Sequence, residues 1–256
     1  MSADHPTRRR FVSRLLAACA GTLLAGCDAA SRNPMFVKVL RTGEHLSRTA
    51  QHLVASRKSM AQEFTEDDLS PHFRSNGTAN PNNPEYQALA KGDFVDWRLR
   101  VDGLVARPVH LTLQQLRAMR SRTQITRHDC VEGWSAIGKW TGVPLSEVLA
   151  LVEPQPAARF VVFHCADPMN SSGVRYYESI DMEDALHPQT ILAYGLNDKT
   201  LPIANGAPLR VRVERQLGYK MAKFIMHIEL VESFDHIGGG SGGYWEDRGY
   251  EWFAGI

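Results

Sequence analysis

From Trp97 onward, apolar and polar residues alternate in short runs separated by long irregular connections, the pattern of short strands rather than of long helices. Trp97-Arg98-Leu99-Arg100-Val101 is such a run. It leads into Asp102-Gly103, a two-residue hairpin signal, after which Leu104-Val105-Ala106 should return as the partner strand toward Pro108. Further strands are expected at 123–127, 159–164, 209–214 and 224–231. Thr112 caps a short helix over Leu113–Met119, and Pro144–Val152 forms another with proline in its first turn. Short helices between such strands indicate a mixed α+β domain. There is no internal repeat and no heptad.

The first 27 residues have a different character. Thr7-Arg8-Arg9-Arg10-Phe11-Val12 precedes a short apolar stretch, Leu15 to Gly26, which is too brief and too rich in small residues to span a bilayer as an anchor. It has the form of a twin-arginine export signal. Leu24-Ala25-Gly26-Cys27 closes it as a lipoprotein signal, with the thiol of Cys27 as the site of lipidation. The expected organisation is a signal over residues 1–26, a tether with one loosely committed amphipathic helix (Leu40 to Met60) over 27–70, and a folded domain over 71–256. Within the tether and the domain entry, Asn76-Gly77 and Asn80-Pro81-Asn82-Asn83-Pro84 read as an ordered loop.

The whole chain has a formal charge of +1 from 29 basic and 28 acidic side chains, which gives no field of the kind that holds a protein on nucleic acid. The signal carries Arg8, Arg9, Arg10 and Arg14 against Asp4, so the body without it is slightly acidic. With 4 cysteines, a disulfide-built scaffold is excluded and each thiol needs its own explanation.

Chemistry concentrates between Thr126 and Trp140. In His128-Asp129-Cys130-Val131-Glu132-Gly133-Trp134-Ser135, Cys130 falls at a strand end with glycines following, where a thiol is a candidate soft-metal ligand or nucleophile. His187-Pro188-Gln189-Thr190-Ile191-Leu192-Ala193-Tyr194-Gly195-Leu196-Asn197, then Asn205-Gly206-Ala207-Pro208-Leu209-Arg210, then Gly218-Tyr219-Lys220 to Lys223 follow in order. Taken alone, these residues also have plain readings. His128 and His164 would serve as hydrogen-bonded strand-end histidines, and Trp134, Trp140 and Tyr194 as packing. One of Arg210 and Arg212 would lie on a solvated face, 238–243 would be a loop, and the aromatic tail from Tyr244 to Phe253 would pack back on the domain.

Through these four motifs, residues 70–256 resemble the sulfite oxidase-like molybdopterin-dependent oxidoreductases, and within them the periplasmic methionine sulfoxide reductase branch. The resemblance implies an α+β molybdopterin-binding domain and a molybdenum–molybdopterin cofactor with Cys130 as its protein thiolate. One thiolate suffices when the pterin supplies two sulfurs. It implies that Asn76, Cys165, Asn205, Arg210, Met221, Ala222 and Lys223 hold the pterin, with Met221 and Ala222 giving backbone N–H groups and Cys165 replacing a threonine of the relatives. Glu132 would lie beside the metal, and Tyr194 matches an active-site tyrosine. Beside Asn76, in Phe73-Arg74-Ser75-Asn76, the family's arginine and histidine are shifted or missing, which weighs against sulfite; protein methionine sulfoxide and small S- or N-oxides stay open.

No heme-attachment Cys-x-x-Cys-His and no iron-sulfur cysteine set is present, so the electron partner is expected to be a separate cytochrome, membrane-bound or soluble. With no room after Val231 for the dimerisation domain of sulfite oxidases, a monomer is expected. Two other classes fit the residues alone: a zinc or copper module built from His128, Cys130, His164 and Cys165, or a non-enzymatic lipoprotein with a Cys130–Cys165 disulfide.

Overall fold

A computed structural model describes Met35 and residues 59–256. The expected signal, Cys27 and nearly all of the proposed 40–60 helix lie outside the described residues, and Ser59 and Met60 are not helical.

The chain enters along the edge of a sheet. Phe64 N–H donates to Ile125 O (2.8 Å), Ser70 N–H to Ile137 O (3.1 Å), and Gln189 bonds both the N–H and the carbonyl of Ala61. Residues 60–70, read above as the end of a tether, are therefore fixed to the domain. The turn chemistry at 80–84 is a helix start: Asn83 accepts from the N–H groups of Glu85 and Tyr86, and Pro84 occupies the first turn of α1 (Pro84–Lys91). Only Tyr86 of α1 is buried, so no apolar periodicity marked it.

β1 (Arg98–Gly103) is followed by β2 (Val109–Thr112) and α2 (Leu113–Ala118); Thr112 is its N-cap, as expected, and forms a capping box with Gln115. The hairpin expected at Asp102-Gly103 is absent. β1 pairs with β2 from Arg98↔Thr112 to Val101↔Val109, so the connection runs over 104–108. Gly103, at φ +86°, instead lets β1 press against the strand 225–231: a Cβ there would stand 2.3 Å from Leu230 O.

β3 (Arg122–Cys130) and β4 (Trp134–Pro144) form one long hairpin turning at Cys130–Trp134, where only a strand, a glycine-rich segment and a helix were expected. Then come α3 (Leu145–Val152), β5 (Phe160–Pro168), β6 (Arg175–Asp181), α4 (Met182–Leu186), β7 (Ile191–Leu196), β8 (Lys199–Thr200), β9 (Arg210–Arg212) and β10 (Ile225–Val231). One sheet has the order β2-β1-β10-β5-β6, with β1 and β10 parallel; the other has β3-β4-β7-β8, with β9 also on β7.

The main core joins the two sheets, with Leu99, Val101, Phe163 and Ile228 from the first, Val143, Leu192 and Val211 from the second, and the buried residues of α3 in one cluster. A smaller cluster of Phe73, Trp140, Ile191 and Leu201 covers another part of the second sheet. The aromatic tail does pack back: Tyr244 joins the core, and Trp252 contacts Phe160 and Phe234. The fold is mixed α+β, as expected.

Candidate active site

The β3–β4 turn delivers Cys130, Val131 and Glu132 to a cavity of about 240 Å³, whose lining also includes Asn76, Asp167, Met221 and Lys223. Tyr176, Tyr219, Trp245 and Tyr250 make its aromatic wall. Residues from several distant parts of the chain thus converge on Cys130, which is a free, half-buried thiol. Burial pushes this thiol up and Glu132 adds to that, while the Glu132 N–H and the guanidiniums of Arg74 and Arg210 pull the other way. A bound soft cation would reverse the balance, because it favours the thiolate directly. Glu132 is exposed and accepts from Trp134 Nε1 at 3.0 Å.

Lys223 ties the 76–78 loop to the site. Its Nζ donates to the carbonyls of Asn76 (2.6 Å), Thr78 (2.5 Å) and Ala204 (3.0 Å). Burial, followed by the charge of Arg210, brings its ammonium down to about 7. Nearby, burial raises the Asp167 carboxyl to about 6.

Arg210 and Arg212 are both wholly buried, which corrects the expectation that one faces solvent. Trp140 lies under both guanidiniums, 5.0 and 4.4 Å from its ring centroid. Arg210 donates to Asn205 O (3.0 Å) and Met221 O (3.2 Å), and burial with Arg212 alongside lowers it to about 9. Arg212 is bidentate to Glu214, which also accepts from Gln124. Its remaining Nη1 reaches Nδ1 of the buried His128. Burial holds the His128 ring well below the ordinary imidazole value, with Arg212 and Arg210 adding to the effect. Gly218 makes room for that ring, since a Cβ on it would lie 2.5 Å from Cε1 and Nε2 of His128.

Several expected site residues are placed elsewhere. Tyr194 on β7 does not line the cavity: its ring packs on the main core, with Arg117 5.7 Å from its centroid. Cys165 is sealed in the main core, its thiol 3.8 Å from Phe163 O, and burial raises it well above the usual thiol value. Met221 does line the cavity, but its N–H is already bonded to Gly218 O, and Ala222 is buried in the main core and does not line the cavity.

Cys130 and Cys165 are both free, so no disulfide joins them. His164 pairs with Glu229 on the first sheet, whereas His128 and Cys130 belong to the second, so the four residues of the zinc or copper alternative do not converge.

Sequence reasoning missed Asp167, Tyr176 and the group behind them, where Lys220 Nζ bonds the buried carboxylates of Glu178 and Glu246. A signal existed for one of these. Asp167 ends the largely apolar run of β5, and a carboxyl buried in such a run needs a partner or a ligand, whereas Glu178 lies among Arg175, Ser179 and Asp181 and does not stand out.

Five buried polar atoms in this region have no partner in the protein: Asn76 Oδ1, His128 Nε2, Asp167 Oδ1, Asn205 Nδ2 and Arg210 Nε. Such orphans are rare, and here they offer both donors and acceptors on or directly behind a cavity wall. A polar, anionic group with hydrogen-bonding ring edges would satisfy them beside the Cys130 thiol. A molybdopterin fits this chemistry.

Comparisons with known sequences agree. Residues 86–236 match the family described as oxidoreductase molybdopterin binding domain. A protein of Azospira oryzae, YedZ1, provisionally named a protein-methionine-sulfoxide reductase subunit, is 37% identical over 98% of this chain and 89% of its own length. The protein-methionine-sulfoxide reductase catalytic subunit MsrP of Xanthomonas axonopodis pv. citri is 35% identical over 88% of this chain and 70% of its own. Among solved structures, the sulfane dehydrogenase SoxCD from Paracoccus pantotrophus aligns at TM-score 0.48 and 22% identity, covering 54% of this chain and 39% of that one.

Proposed function

This chain belongs to the molybdopterin-binding oxidoreductase family, and from that membership we propose that it reduces methionine sulfoxide in proteins, with Cys130 as the protein ligand of the molybdenum. The cofactor, molybdenum with molybdopterin, supplies two-electron redox chemistry and oxygen-atom exchange. Reduction consumes two electrons and two protons and yields the thioether and water.

The observation that carries this reading is the setting of Cys130: a lone thiol in a cavity with orphaned polar atoms on one side and an aromatic wall on the other. Asn76, Asn205, Arg210 and Lys223 would hold the pterin and its phosphate, with Asp167 as an acceptor for ring N–H groups. Met169, Tyr176, Tyr219, Trp245 and Tyr250 would receive the flexible, polarisable methionine chain. Glu132 stands exposed at the turn and would hand a proton to the departing oxygen. A neutral sulfoxide suits this arrangement better than sulfite, because a carboxylate beside the site repels an anion.

The same reading extends to location and partners. The protein would be exported folded by the twin-arginine route, held at a membrane by lipid on Cys27, and would act as a monomer that accepts electrons from a separate cytochrome. Support comes from the arginine run and Leu24-Ala25-Gly26-Cys27.

Turnover of protein-bound methionine sulfoxide by metal-loaded enzyme with a reduced dye tests the activity. Cys130→Ser should keep the pterin and lose turnover, since a hydroxyl is a harder ligand than thiolate. Wild-type turnover in that variant would overturn the ligand assignment, and export unaffected by lysines at Arg8 and Arg9 would overturn the export route.

A further inference from the structure

On the first sheet, away from the Cys130 cavity, two histidines and a carboxylate from adjacent strands face one another. His227 on β10 is directly opposite His164 on β5, and Glu229 follows His227 by two residues, on the same face. The two imidazole rings stack at 4.8 Å, 13° from parallel. His164 Nε2 lies 2.8 Å from Glu229 Oε2, and His227 Nε2 lies 2.6 Å from Asp102 Oδ1. One ligating atom from each of His164, His227 and Glu229 falls within 4.8 Å of the others, the only such trio among the described residues.

We propose that His164, His227 and Glu229 form a second metal site, which binds one divalent cation of borderline softness, such as zinc. Two imidazoles and one carboxylate match zinc and its neighbours, whereas hard magnesium or calcium takes all-oxygen sets. The ligands come from two paired strands, so their backbone positions are set before any ion arrives, and the side chains close on it by small rotations. Each side chain is between a fifth and a third exposed, which gives an ion access from solvent. Asp102 has a different task. Its second oxygen pairs with Arg100, which leaves it to orient the ring of His227 from outside the ligand set. Three protein ligands leave a coordination position for water or for a side chain of another molecule.

Zinc titration of the molybdenum-loaded holoenzyme by calorimetry tests this, because the cofactor already occupies Cys130 and removes that thiol as a competing site. We expect one zinc per chain, a higher melting temperature with zinc, and no comparable binding of magnesium. Asp102→Asn should weaken binding about tenfold, the usual effect of losing a group that orients a ligand. His227→Gln and Glu229→Gln should each weaken it further, with molybdenum content and turnover unchanged. Wild-type protein that takes up no zinc overturns the site. So does zinc that binds His227→Gln and Glu229→Gln as it binds wild type. If one variant folds poorly, His164→Gln supplies the same comparison.

Discussion

Arg212 fixes the tautomer of His128. Its Nη1 lies 2.9 Å from Nδ1, and a guanidinium has no lone pair to offer, so Nδ1 must accept and the ring proton resides on Nε2, against Gly218. The bidentate pair with Glu214, at zero exposure for both side chains, holds Arg212 in turn. A charge network behind the cavity therefore sets the rigid face on which the 218–223 segment rests.

Arg212→Met should destabilise the protein by about 3–5 kcal/mol, because it leaves Glu214 buried without its cation. Urea unfolding of the apoprotein measures this. A loss well under 1 kcal/mol would show that Glu214 finds another partner.

Tyr194→Phe should leave kcat and KM for methionine sulfoxide unchanged, since its ring packs on the core beside Arg117 and does not line the cavity. Steady-state kinetics decide between this placement and the active-site role implied by family resemblance. A large drop in kcat would restore that role.

Glu132→Gln should lower kcat for sulfoxide reduction by about 10² to 10⁴, the range for loss of a general acid. With sulfite in the oxidative direction the change should fall mainly on KM, because removing the carboxylate removes repulsion of an anion. A variant equal to wild type on both substrates would reduce Glu132 to the partner of Trp134.

Lys223 should make the apoprotein more stable as pH rises from about 7 toward 10.5. Its folded value is about 7 against an ordinary 10.5, so within that window the unfolded chain holds the extra proton and stability climbs with pH; below about 7 both states are charged and the burial cost is present in full. The slope should be smaller in Lys223→Met. Equal slopes over this window in the two proteins would place the ammonium in a more solvated setting.

Much of this protein was legible without coordinates. Alternating short strands imply α+β, Thr112 sets a helix start, and the Cys130 segment with its later motifs carries the family resemblance that implies the cofactor class, because each signal is local in the chain. What local pattern does not determine is which strands pair and which side of a strand faces a cavity. Asp102-Gly103 has hairpin composition, but its glycine serves a close approach to Leu230 instead, a demand set by a strand more than a hundred residues away. Tyr194 sits in a motif of the family, yet it falls at the bulge where β7 pairs with β4, and its ring packs on the main core instead of lining the cavity. Arg210 and Arg212 alternate like a surface strand, and only the tertiary structure supplies the carbonyls, Glu214 and the Trp140 ring that let two guanidiniums be buried side by side. Pairing, register and the compensation of buried charge are long-range properties, and they decided the interior of the site.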